Sequence, residues 1–137
     1  MRAKLTSGRK ALIAITGLLL GAVVAPATAQ APELAMLDGL SQGSWEIRIH
    51  GGGDSDRVCV RTGRELIQLR HSGESCSSFV IDDEPGQVTV QYSCPGNGYG
   101  RTTIRRETAQ LVQISTNGSE GGQPFSIDAE ARRVGGC

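Results

Sequence analysis

Four cysteines, Cys59, Cys76, Cys94 and Cys137, and two histidines, His50 and His71, have the widest chemical reach in this sequence. No C-x-x-C pair occurs among the cysteines, which disfavours redox catalysis and a zinc ribbon and favours structural disulfides. With Asp54, Asp56 or the run Asp82-Asp83-Glu84, either histidine has the residue types of a metal or acid–base site. Neither has the spacing of a ligand pair. His50 falls at a strand end on the polar face and His71 just past a helix, so both read as solvated. Asp54-Ser55-Asp56 supplies two calcium-type ligands without the rest of an EF-hand loop. Gly39-Leu40-Ser41-Gln42-Gly43 fits the G-x-S-x-G nucleophile pattern, but that motif needs a strand-to-helix elbow above a parallel sheet. The chain has no parallel-sheet pattern, and the segment reads as linker. Arg105-Arg106 and Arg132-Arg133 have Glu107 and Glu130 beside them as partners for weak exposed ion pairs.

The elements that must position these residues begin after a stretch that reads as an export signal. Arg2, Lys4, Arg9 and Lys10 precede an apolar run from Ala11 to Ala25, and Ala27-Thr28-Ala29 offers small residues for cleavage after Ala29. A run interrupted by Gly17 and Gly21 is short for a membrane span of about 20 residues. No cysteine follows the cleavage point to carry lipid. The exported chain is therefore expected to begin at Gln30, with no stable membrane insertion after cleavage. Intact mass checks this, and a protein still beginning at Met1 contradicts it. Of 137 residues this leaves 108, with ten Arg, no Lys and fourteen acids, a charge near −4. That excludes a large enzyme fold, a multi-pass membrane protein and a generally basic nucleic-acid binder.

Residues 30–43 form an N-terminal linker or short helix, with Leu34, Leu37 and Leu40 at helical spacing, and residues 44–137 form a β domain. Trp45, Ile47 and Ile49 alternate with polar residues up to the loop Gly51-Gly52-Gly53, and Val58 and Val60 resume the pattern. Thr62 and Glu65 have capping-box spacing, which predicts a short helix from Thr62 to Arg70. Strands follow at Phe79 to Asp82, Val88 to Cys94, Arg101 to Arg106, Gln110 to Thr116 and Pro124 to Arg132. Their turns fall at Pro85-Gly86, Pro95-Gly96-Asn97-Gly98, Thr108 and Asn117-Gly118. The fold class is mainly β: a single antiparallel meander, as a curled sheet or partly open barrel, with one short helix and disulfide staples. Only 22 of the 108 residues are Leu, Ile, Val or Phe, so the thin core needs those staples.

The order Gly43-Ser44-Trp45-Glu46, Val58-Cys59-Val60, a short helix, Cys76, a strand ending at Cys94 and a terminal Arg132-Arg133-Val134-Gly135-Gly136-Cys137 resembles the bacterial exported family known as domain of unknown function 3617. The resemblance spans essentially the whole mature chain and implies export and a shared fold. It implies no activity, because none is assigned to that family. The segment between Glu46 and Cys59 is shorter than the family's usual insert.

Folding the Phe79 strand back about Pro85-Gly86 puts Tyr92 opposite Phe79 and Val90 opposite Ile81. Cys76 then lies one residue from facing Cys94, a slip that a bulge absorbs. This pairs Cys76 with Cys94 and, by elimination, Cys59 with Cys137. The resulting expectation is a periplasmic or secreted protein of a Gram-negative bacterium, binding an unknown envelope partner or small ligand, with no cofactor, no metal, no catalytic residue and no nucleic acid. The Gly51 to Asp56 and Gly96 to Gly100 loops, with Tyr99 among the glycines, are its candidate contact elements. Two other readings stand beside it: an inhibitor of a secreted or host hydrolase, and a small hydrolase using His50 or His71.

Overall fold

A computed structural model describes residues 33–53 and 55–137. The expected export signal lies outside the described residues, as does Asp54 of the expected calcium-type pair. Seven strands form one antiparallel sheet: β1 (Gly43–Ile49), β2 (Asp56–Val60), β3 (Ser77–Glu84), β4 (Gln87–Cys94), β5 (Gly98–Thr108), β6 (Leu111–Glu120) and β7 (Gln123–Gly135). Their spatial order is β2-β1-β7-β6-β5-β4-β3, an open sheet edged by β2 and β3. Strict alternation sends Val88, Val90 and Tyr92, Ile104 and Thr102, Val112 and Ile114, and Ala129 and Ala131 to one buried inner face, which also receives Trp45 and Ile47. The Trp45 indole N–H donates to the Ser41 carbonyl at 2.9 Å.

Because β2 and β3 are opposite edges, residues 61–76 must cross the whole inner face to join them. The helix expected from Thr62 to Arg70 does not form, because Gly63 takes positive φ (81°) directly after Thr62 and Gln68 leaves the helical region (φ −114°, ψ 48°). The chain instead forms two 3-10 turns, Arg64–Leu66 and Leu69–His71, linked by more extended backbone. Half of the capping box survives: the Glu65 carboxylate accepts the Arg61 and Thr62 amides. Burial alone would raise the Glu65 pKa, but these amides and its own hold it below the ordinary value. This strap carries Leu66 and Ile67 into the core, with Leu69 against it. The one α-helical turn among the described residues, α1 (Ala35–Asp38), lies in the expected linker, where Leu34, Leu37 and Leu40 are all buried. It is tied to the strap by Arg64 on Asp38 (2.6 Å) and to β3 by the Leu34 amide on Asp83 (2.9 Å).

Both disulfides pair as expected, Cys59–Cys137 and Cys76–Cys94. They bracket the strap, one just before its start and one at its end. The expected β3–β4 register holds only next to the turn, where Glu84, Asp83 and Asp82 face Gln87, Val88 and Thr89. A bulge at Ile81 then shifts it, so Tyr92 faces Ser78 and Val90 faces Val80, rather than Phe79 and Ile81. The same shift brings Cys76 level with Cys94. In the next hairpin a tight turn near Thr108 predicts Ile104 opposite Val112 and Thr102 opposite Ile114; Ile104 instead faces Ile114 and Thr102 faces Thr116, two residues from that register and therefore on the same faces. Asn117-Gly118 is strand interior, not a turn. The β6–β7 turn is Gly121-Gly122, both with positive φ (55° and 80°).

Candidate functional site: a buried histidine and an apolar pocket under the strap

One register row runs Tyr92, Gly100, Gly118, Phe125 across β4 to β7. Two neighbouring glycines between two aromatics open a trough on the inner face, and the Tyr92 ring fills it. A Cβ on Gly100 would overlap the phenol. The strap lowers His71 onto this row: its ring meets Tyr92 edge-on (centroids 5.4 Å) and lies 6.0 Å from Phe125. Nδ1 is 3.1 Å from the Tyr92 hydroxyl. Beside it the Thr102 hydroxyl donates to the strap carbonyl of Ile67 and is 2.8 Å from the Thr116 hydroxyl. Burial pushes the Tyr92 phenol up from its ordinary pKa; a hydrogen bond from Thr116 opposes this, and Glu120 and Glu74 add to it.

His71 is therefore not the solvated residue expected past a helix end. It is 1% exposed, and its Nε2 is buried with no hydrogen-bond partner among the described residues. It is sealed from dissolved substrate, and what it does in this arrangement is fix the strap to the sheet. His50 is exposed at the end of β1, on the opposite face of the sheet, and its backbone N–H donates to the Asp128 carbonyl (2.8 Å). There it shares a wide polar groove with Thr103, Arg105, Ser115 and Asp128. Ser115 and Asp128 are register partners, but no side-chain hydrogen bond joins Ser115, Asp128 and His50 among the described residues, and no catalytic triad is assembled.

Ser41 sits between α1 and β1, a helix-to-strand passage opposite in sense to a nucleophile elbow, with its amide on the Ala109 carbonyl (2.7 Å). Glu74, Cys76 and Cys94 place a carboxylate and two sulfurs within 4.8 Å of one another. Both sulfurs are in a disulfide and the Asn97 amide occupies the Glu74 carboxylate, so thiolate ligands are lacking. The Arg pairs divide alike: Arg105 and Arg132 pair with Glu107 (2.9 Å) and Glu130 (3.3 Å). Arg106 and Arg133 donate to the Pro85 and Gln42 carbonyls. Tyr99 is a residue of β5, half-exposed on the outer face opposite Ser93 and Ser119. Gly98 and Gly100 belong to that strand too, which leaves only Gly96 and Asn97 of the expected Gly96 to Gly100 loop outside a strand.

Sequence reasoning missed a pocket of about 170 Å³ on the inner face, between the strap and the β2-β1-β7 side of the sheet. Ile47, Ile49, Val58, Leu69 and Ile127 line it; Asp56, Arg70 and Ser72 supply its polar atoms. Arg70 is already engaged by Glu120 at 2.6 Å. Ile49 and Asp56, at neighbouring ends of β1 and β2, both line the pocket. Gly51, Gly52 and Gly53, which follow β1, have positive φ, and a Cβ added to any of them would meet nothing within 4 Å. The missed signal was that Ile49, Val58 and Ile127 are inner-face positions on the β2-β1-β7 side, more apolar surface than a strap carrying Leu66, Ile67, Leu69 and His71 can cover. Comparison with protein-family profiles, curated proteins and solved structures gives no match.

Proposed function

We propose that this chain is an exported, non-enzymatic binding domain of the periplasm of a Gram-negative bacterium, holding a small neutral ligand with an apolar body under the strap. The carrying observation is the pocket itself. The inner face is sealed elsewhere by α1 and the strap, yet here it leaves Ile49 40% exposed beside four other apolar side chains. Two disulfides fit an oxidising compartment, and the signal-like residues 1–29 and the family resemblance point to export. The volume suits a ligand of benzene to hexanol size. Arg70 is taken by Glu120, which leaves the Asp56 carboxylate without a cationic side-chain partner among the described residues; an anionic ligand is thereby disfavoured, and a neutral polar end near Ser72 fits.

At a net gain of about 0.6 kcal/mol per non-hydrogen atom, ordinary for a small ligand, 1-hexanol is expected to bind with a dissociation constant on the order of 1 mM. Isothermal titration with 1-hexanol tests this. Ile49→Ser and Val58→Thr, both at partly exposed positions, should weaken binding about tenfold together while leaving the unfolding midpoint nearly unchanged. Equal heats from wild type and the double variant would refute the pocket as the site.

A further inference from the structure

We propose that the free edge of β3 takes up an extended, cationic peptide segment as an added strand. The two edges of the sheet are unlike. β2 is five residues long and the first 3-10 turn of the strap packs against it, whereas β3 is eight residues long and, among the described residues, pairs with β4 alone. The Ile81 bulge protects the second half of β3 from pairing. The first half, Ser77 to Val80, has no such device and carries Phe79, at 58% exposure the most exposed large hydrophobic among the described residues. Ile81 is exposed beside it at 41%.

Charge selects the partner. Asp38, Glu46, Glu107, Glu120 and Glu130 each pair with an arginine of this chain. Asp82, Asp83 and Glu84 have no cationic partner among the described residues; Asp83 accepts only the Leu34 amide. An incoming strand therefore finds open backbone groups along Ser77 to Val80, an apolar contact at Phe79 and three uncompensated carboxylates beyond. Backbone pairing supplies affinity, and alternating apolar and basic side chains supply specificity. The site is separate from the ligand pocket, on another strand.

The test uses fluorescence anisotropy with a labelled peptide of alternating Lys and Val. Three comparisons accompany it: the Glu–Val counterpart, a form N-methylated at alternate residues, and the variants Phe79→Ser and Asp82→Asn/Glu84→Gln. The Lys–Val peptide should bind the mature protein, and charge reversal or N-methylation should each weaken it about tenfold. Both variants should weaken it several-fold while Ile49→Ser leaves it unchanged, so hexanol binding and peptide binding fail independently. Absence of binding overturns the proposal, as does N-methylated peptide binding equally well or variants indistinguishable from wild type. A dimer abolished by Phe79→Ser also overturns it, by assigning the edge to a second copy.

Discussion

Serine replacement of Cys59 and Cys137 is expected to lower the unfolding free energy by about 4.5 kcal/mol, and of Cys76 and Cys94 by about 3 kcal/mol, from loop-closure entropy. The cross-links span 78 and 18 residues, which sets that order. Small domains commonly have about 5–15 kcal/mol in total, so loss of the long link alone removes a large part. The location matters as well as the span. Each disulfide anchors one end of the strap, and the strap supplies Leu66, Ile67 and His71 to the core, so either loss also loosens the roof of the pocket. Urea unfolding of the two double-serine proteins measures the effect. A larger loss from the short link would contradict the loop-closure ranking.

Gly100→Ala is expected to cost about 2 kcal/mol, the usual penalty for forcing an extra carbon into a filled core. The clash is with the Tyr92 ring, which cannot swing away because it is buried against His71. In a double-mutant cycle, Tyr92→Leu should remove at least about 1 kcal/mol of that cost, since the two positions are direct register partners. A Gly100→Ala cost that Tyr92→Leu leaves untouched would show that backbone packing, not the phenol, demands the glycine.

The faces of the strands were legible because alternation is a local property: Ile104, Val112 and Ile114 face inward even though the expected register was two residues out. The Cys76–Cys94 link was legible for the same reason, given a two-residue turn and one bulge. What stayed hidden depends on strand order. Nothing local states that β2 and β3 lie at opposite edges, so nothing announced that residues 61–76 must stretch across the sheet and bury His71. Thr62 and Glu65 gave a sound local signal, half of which survives, but Gly63 in positive φ and Gln68 outside the helical region break the helix before Arg70. Asn117-Gly118 misled similarly. Its glycine serves a close approach to the neighbouring strand, where a Cβ would run into the Tyr99 carbonyl oxygen. The pocket was invisible because it exists only where the strap's coverage stops.

Binding of a small apolar ligand on the inner face, between the strap and β1, β2 and β7, can be read residue by residue in methyl-resolved NMR of the protein titrated with 1-hexanol. Saturable shifts are expected, concentrated on Ile47, Ile49, Val58, Leu69 and Ile127, the apolar residues that line the pocket. Shifts that grow without saturating, or that fall on Ile81 and Val134 at the exposed surface instead, would contradict binding under the strap.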